Sequence, residues 1–428
     1  MRAAFAAQRA PQRGAAALLV VVVLFFILAM VTAYAGRNLI FEQRTSINNQ
    51  RASQAFELAE SGIDYAIALL GSGRVDDACA PSTDVTKGTF RQRHLTSDVN
   101  GKYGVLPGLT PTCMLLANGP TCSCPNAPPN LAAPVGLAPT FQVRFDATGV
   151  AQPGVVRVIS RGCNSIGKQC YRDEPGFPTA DAVAEVSVLL GLNSALATPP
   201  AAALTVRGSL DANNDAPVIA NSDVATRAIT IDAGGPLVNG DRMRLSSTPG
   251  TPGPASIIAS DPSLSTFDGD RMFVSVFGMD RATYRAQPAA VRVTCGADCG
   301  PAIATAVANN PGRVIWLDGD VAIGSNTVLG SPPDEPVLIL LRGNLTVSAN
   351  LQLHGVLYLQ ETDPATPITW TTNAGSTTVH GAVVAEGGLA MHGAPTIIFN
   401  PGVLRTINLT QGSLVRVPGS WRDFTPGG

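Results

Sequence analysis

The sequence predicts an α+β protein with a long N-terminal helix, its first half membrane-spanning, and an antiparallel β head. An all-β domain of β-helix or solenoid type follows, with a β-sandwich as the alternative. Three observations carry this prediction. No proline stands between Pro11 and Pro81, and that stretch opens on an unbroken apolar run. The rest is punctuated by turn formers, with most of the 43 glycines and 33 prolines of the 428 residues beyond that stretch. Beyond Leu204, short apolar runs recur every six to twelve residues with Gly, Asn or Asp between them, the spacing of stacked rungs.

Composition removes several function classes. Charged residues are 14% of the chain and the net charge is -2, so no basic footprint for nucleic acid exists. With 45% apolar residues the chain is not a disordered one. Its eight cysteines, Cys79, Cys113, Cys122, Cys124, Cys163, Cys170, Cys295 and Cys299, all follow the apolar run, which fits an oxidising compartment on its far side. Pairing is open among 105 connectivities, but Cys163/Cys170 and Cys295/Cys299 are close enough to staple one loop each. There is no CxxC pair, and no histidine near Cys122-Ser-Cys124, so zinc is not expected.

The apolar run, Ala15 to Gly36, is 22 uncharged residues, about 33 Å as a helix against a hydrocarbon core of about 30 Å. Arg2, Arg9 and Arg13 precede it and no acidic residue occurs before Glu42, which places the N-terminus in the cytoplasm and the rest beyond the membrane. Its length exceeds that of a secretory signal core, and Ala33-Tyr34-Ala35 is a weak cleavage match, so a permanent anchor is expected. The helical pattern then continues. Ala52, Ala55, Phe56, Ala59, Ile63, Ala66, Ile67 and Leu70 recur at three- and four-residue steps, opposite Arg44, Asn48, Arg51, Glu57, Glu60 and Asp64. Gly71-Ser72-Gly73 is expected to end the helix.

Gln12-Arg13-Gly14, followed at once by an apolar helix, resembles the type III leader of type IV pilins. The string EQRTSINNQRASQAFELAESGIDYA resembles the N-terminal region of PilX-type minor pilins, matching at Glu42, Asn49, Arg51, Ala55, Ala59, Glu60, Ser61 and Gly62. The resemblance covers about residues 12 to 70. It implies a leader over 1–14, cut by prepilin peptidase between Gly14 and Ala15, and methylation of the new Ala15 amine. The implied partners are other minor pilins, a tip adhesin and the inner-membrane assembly platform. The implied location is the inner membrane as a single pass, head outward, and then the pilus tip. One departure stands out: major pilins carry Glu at mature position five, where this chain has Leu19. PilX-type proteins and the K-type minor pseudopilins of type II secretion systems commonly lack that Glu, which argues against a bulk fibre subunit. Glu42, Arg51 and Glu60 are the polar residues expected to make contacts along the assembly helix.

The head is expected over 37–194, with a disulfide-pinned loop region between Cys79 and Pro134. Strands follow at Phe141–Phe145, Val155–Ser160 and Val183–Leu190. The segment RVISRGCNSIGKQC resembles the strand–Gly–loop–strand pattern of pilin heads. Residues 195–203 read as a linker to a separate domain over 204–428. There only Gly300–Asn309 reads as a helix. Strand signals are Val314–Leu317, Val337–Leu341, Leu345–Val347, Leu351–Leu353, Val356–Leu359, Ile368–Thr372, Val383–Ala385 and Thr396–Phe399. Three tripeptides, starting at His354, His380 and His392, each place Gly next, which reads as a repeated turn.

Chemistry-bearing patterns are few. The three histidines could stack into a metal site, but the turn reading takes precedence. Asp211, Asn213 and Asp215 have calcium-loop spacing, yet Ala216 and Ser222 stand where the loop needs Gly and Glu. Asp268-Gly-Asp270 and Asp318-Gly-Asp320 are read first as hairpin turns. No GxSxG, HExxH, P-loop or GxGxxG occurs. Trp316, Trp370 and Trp421 are expected in the core or at its rim. No catalytic residue and no cofactor is expected. The expected role is structural: a PilX-like minor pilin that primes pilus assembly, with a K-like pseudopilin as the alternative. A membrane-anchored β-helix adhesin or polysaccharide-acting enzyme is the reading from outside that class.

Overall fold

The computed structural model describes residues 13–98, 100–125, 139–164, 182–331 and 335–423. One helix runs unbroken over Arg13–Leu70, 58 residues and about 87 Å at 1.5 Å per residue. From Leu18 to Gln50 every side chain is exposed. At Ala55 the helix meets the head, and Ala55, Leu58, Ala59, Ile63, Ala66 and Leu70 are buried at the three- and four-residue spacing of one helical face.

That face lies on a six-stranded antiparallel sheet in the order Gly412–Arg416, Val183–Ser194, Val155–Cys163, Thr140–Asp146, Thr112–Leu116, Gly119–Ser123. The helix crosses the middle strands closely because both sides are small at the crossing. A Cβ on Gly162 would lie 2.1 Å from the Ala55 carbonyl oxygen and 2.4 Å from the Ala59 nitrogen. A Cβ on Gly62 would lie 2.1 Å from Ser160 Oγ. Ala55, Ala59 and Gly62, which carry the pilin resemblance, therefore have a packing role: they form the seam that admits the sheet.

The segment expected as loop between Cys79 and Pro134 contains more structure than that. A helix over Phe90–His94 is closed by a capping box between Thr89 and Gln92, and Thr112–Leu116 with Gly119–Ser123 form a hairpin at the sheet edge. The turn is Ala117-Asn118, with Gly119 at positive φ opening the second strand. Disulfides join Cys79 to Cys124, Cys113 to Cys122 and Cys295 to Cys299. Cys163 is also disulfide-bonded; Cys170, its expected partner, lies outside the described residues.

The second part is a parallel β-solenoid, and the sandwich alternative falls because every pairing in its two sheets is parallel. Successive coils advance by similar lengths: Val314 pairs with Leu338, Leu351 with Thr377, and Leu204 with Ile231. One coil is shorter, with Val337 paired to Gly355. Side chains tie neighbouring coils at their turns: Asp298, Asp320, Asn326, Asn344 and Asn350 accept from the backbone of Gly324, Asn344, Asn350, Thr369 and Ser376 one coil on. Asp320 thus serves a coil turn rather than a hairpin. Trp316 and Trp370 are buried in the core, while Trp421 sits at the head's rim against Phe56.

Spatial and chain order differ. The first coil, Leu204–Val206 and Leu210–Asp211, is seated against the last, with Leu204 paired to Val383 and Leu210 to Leu389. From there the chain winds outward through Ile231–Ala233 to Ile257–Ile258. It then crosses back through helices at Pro262–Ser265, Gly269–Phe277 and Arg281–Ala286 and restarts at Ala290–Val293, at the other end of the longer sheet. These helices, and Pro401–Thr410, correct the expectation that Gly300–Asn309 stood alone. Each starts on a side-chain cap: Asp261, Asp268, Asp280 and Asn400 each accept from the first turn. Asp268-Gly-Asp270 is therefore a helix start, not a hairpin.

The linker over 195–203 is anchored at both ends: Ala195, Leu196, Ala202 and Ala203 are buried and the Tyr284 hydroxyl donates to the Ala195 carbonyl at 2.6 Å, while residues 197–199 and 201 are exposed. After the last coil the chain returns to the head, where Gly412–Arg416 pairs with Val183–Ser194. The solenoid is thus inserted between two neighbouring strands of the head sheet.

Candidate functional site

Gly14 and Ala15 lie in the first turn of the long helix. Leu19 is 65% exposed and begins a surface continued by Phe25, Phe26, Met30, Ile40 and Phe41, all exposed. Such a large apolar surface, unpartnered within the chain, marks a membrane or protein interface. The helix is long and apolar enough to cross a bilayer. Glu42 is exposed, while Arg51 and Glu60 are partly buried where the helix nears the head. Asp64 ion-pairs with Arg416 at 2.5 Å and so joins helix to returning strand.

The densest group of charges lies at one corner of the solenoid, and sequence reasoning missed it because its members are far apart in the chain. Asp318, Arg342 and Gln360 are in register on adjacent coils, and Glu386 and Arg207 each follow a strand end that continues the stack. The crossover helices dock on this column. Arg281 donates to both carboxylate oxygens of the fully buried Glu386, to Gln360 at 2.7 Å and to Asp270 at 3.0 Å. Arg207 pairs with Glu361 at 2.6 Å and donates to the Phe267 carbonyl. Arg285 pairs with Asp318 and lies over the Trp316 ring. Burial pushes the Glu386 carboxyl above its ordinary range, against the opposing pull of Arg281. A 420 Å³ cleft beside this column is lined by Asp270, Asp280, Arg281, Arg285, Asp318 and Arg342. Asp270 and Asp318 are paired with arginines and Asp280 caps a helix, so the arrangement reads as a docking corner for the crossover.

The sequence-derived metal candidates come apart here. His354 and His380 do meet in register, their rings stacked 4.8 Å apart and 9° from parallel. Parallel rings send their in-plane lone pairs side by side rather than to one point. His392 lies elsewhere, against Asn213. Burial, then His380, lowers the His354 pKa. Gly355 and Gly381 are not turns but mid-strand positions, where a Cβ would lie 1.8 Å from the Val337 oxygen and 1.9 Å from the Gly355 oxygen. The calcium-like residues serve a left-handed turn at Asn213 and Asn214. Asp211 accepts from the Asn213 backbone and Asn239, and Asp215 from the Gly393 backbone. Among the described residues no group of three His, Cys, Asp or Glu could hold a metal ion.

One carboxylate carries a pH signature. Burial, and then the neighbouring Asp261, push Asp232 up to about 6. A folded pKa above the unfolded value favours the protonated form, so this contribution is full below about pH 4 and is lost as pH rises to about 6. Asp232→Asn is expected to raise stability at pH 7 by about 1 kcal/mol, discounted for the residue's partial exposure, and to leave pH 4 unchanged. Melting temperatures of both proteins across pH 4 to 7 test this; parallel curves would count against it.

A second cavity, 150 Å³, lies where head and solenoid meet, lined among others by Arg91, Tyr103, Glu335 and Gln411. Arginines brace this junction. Arg74 donates to the Ala308 carbonyl at 2.6 Å, Arg313 to the Gly71 carbonyl and Arg91 to the Gly412 carbonyl.

No family model matches the chain, and neither does any curated protein. Among solved structures, the competence-associated pilin ComZ from Thermus thermophilus aligns over 87% of this chain and 97% of its own, at 13% identity and a TM-score of 0.22. A likeness at that score carries no argument.

Proposed function

We propose that this chain is a minor pilin of PilX type that helps prime type IV pilus assembly and sits at or near the pilus tip. The observation that carries the reading is the single helix over Arg13–Leu70. Its first part exposes apolar side chains all round, and its second part is seated on an antiparallel head by a seam of small residues. A helix of this kind buries its free surface in a bilayer and then among similar helices, so assembly is driven by apolar burial rather than covalent chemistry. The leader-like Gln12-Arg13-Gly14 supplies the processing signal, and Leu19 in place of Glu suits a subunit that need not dock beneath another. In this reading the N-terminus is cytoplasmic before processing and the head and solenoid lie beyond the inner membrane. A K-like pseudopilin of a type II secretion system, which also commonly lacks that Glu, is the alternative; the segment Ala59–Gly62 and the β-rich tail fit the PilX type better. The anchored enzyme reading loses ground because the carboxylates of the solenoid cleft are committed to arginines and a helix cap.

The test is the mass of the N-terminal peptide from membrane and sheared-pilus fractions of the native host. A peptide starting at Ala15, with or without a methyl group, is expected. One that retains Met1 to Gly14 would overturn the proposal.

A further inference from the structure

Two histidines are stacked at one corner of the solenoid. At Gly355 the strand Leu351–Gln360 passes from one wall of the coil to the next: Leu351–Leu353 pairs with Thr327–Leu329, and Gly355–Gln360 with Val337–Arg342. At that corner His354 lies in register with His380 of the following coil, the rings 4.8 Å apart. The helix Pro401–Thr410 packs against both strands. A Cβ on Gly381 would lie 3.3 Å from Val403 Cγ1, and the Asn400 N–H donates to the Gly381 carbonyl at 3.2 Å.

This arrangement has no place for an added proton. His354 is 9% exposed, and its Nδ1 is shielded from solvent without a hydrogen-bond partner among the described residues. A neutral imidazole leaves that nitrogen bare at little cost, whereas an imidazolium puts a buried N–H there with nothing to accept it. The charges around the pair offer no compensation. The helix directs its positive end to this corner, because its cap Asn400 is two residues beyond Ile398, which is in register on His380. Gln352 and Thr378, on the same two strands, are uncharged, and Arg405, the one charged residue of the helix, is exposed and of the same sign as an imidazolium. Glu335, whose carbonyl lies beside Gly330 and the His354 carbonyl, has its carboxylate paired with Arg74 at 3.6 Å. Burial, and then His380, accordingly hold the His354 imidazole below its ordinary value. A ring that the fold keeps neutral contributes fully to stability above about pH 6.5, and that contribution is lost as pH falls below it.

We propose that the stacked pair is an acid-sensitive latch. In mildly acidic surroundings one ring takes a proton, the stack parts, and the helix Pro401–Thr410 loosens from the corner it covers. That helix runs directly into Gly412–Arg416, the strand by which the chain rejoins the head, so the latch sets how firmly the solenoid is held. The latch is independent of the pilus role.

The experiment is hydrogen exchange of the full chain in detergent at pH 7.5 and pH 5.0, read by mass spectrometry and corrected for the intrinsic rate at each pH. An imidazole released at pH 5.0 favours the opened form by up to about 30-fold, so amides of Pro401–Thr410 should exchange at least about fivefold faster there than at pH 7.5. His354→Phe keeps a flat ring and strands no polar atom, and His380→Phe replaces the other ring. Either should hold the change below about twofold, and if His354→Phe fails to fold, His380→Phe decides. No acceleration in the parent, the same acceleration in a folded phenylalanine variant, or an equal acceleration in the core strand Val314–Asp318 would each overturn the proposal.

Discussion

Gly162→Ala is expected to destabilise the head by about 3 kcal/mol or more, enough to detach the helix from the sheet in part of the population. The added methyl would meet Ala55 and Ala59 backbone atoms at 2.1 and 2.4 Å, and backbone cannot rotate aside as a side chain can. Either the helix lifts by an ångström or more, thinning the contacts of Leu58 and Ile63, or the strand bends and its pairing to Thr140–Asp146 weakens. Gly296→Ala is the matched control, because a Cβ there meets nothing within 4 Å. It should stay within about 0.5 kcal/mol of the parent. Thermal unfolding of the full chain in detergent, read by circular dichroism, compares the two. Equal melting temperatures would mean that the helix is not seated on the sheet at this glycine.

The second large effect is at the solenoid corner. Arg281→Ala leaves Glu386 fully buried beside Glu361, with the guanidinium that met both its oxygens gone. Stranding a buried charge costs about 3–5 kcal/mol, whereas replacing both partners by apolar groups is often neutral. Arg281→Ala should therefore unfold well below the parent, and Arg281→Met with Glu386→Leu should recover most of the loss. Because burial raises the Glu386 pKa, its neutral form is favoured in the fold, and the Arg281→Ala deficit should shrink as pH falls towards 4.5. Equilibrium denaturation of the three proteins at pH 7 and pH 4.5 checks both signs. A double variant no better than Arg281→Ala would show that the corner depends on something other than this charge pair.

What was legible in the sequence was local. The helix announced itself through the absence of proline and the three- and four-residue apolar step from Ala55 to Leu70. The central head strands at Phe141, Val155 and Val183 alternate because one face meets that helix. Solenoid strands such as Leu345–Val347 and Thr396–Phe399 were bounded by their turn residues. The rest depends on pairings that no local pattern encodes. Nothing near Leu204 reveals that it lies beside Val383, or near Gly412 that it completes a sheet begun about three hundred residues earlier. The crossover helices were missed because they are short, and their aspartate caps look like turn residues. The charged corner and the junction cavity draw their members from distant stretches, so neither shows as a motif.

The two ends of the solenoid leave and rejoin the head at Ser194 and Gly412, residues that face each other across one antiparallel pair. That is a gap a tight turn of a few residues ordinarily spans. The head is therefore a chassis with a standard socket, and everything between those two residues is a payload that the socket accepts without altering the half that meets the membrane. Tension applied to the payload also reaches the chassis through two strands side by side instead of one chain end. A load at the far end is shared before it reaches the helix.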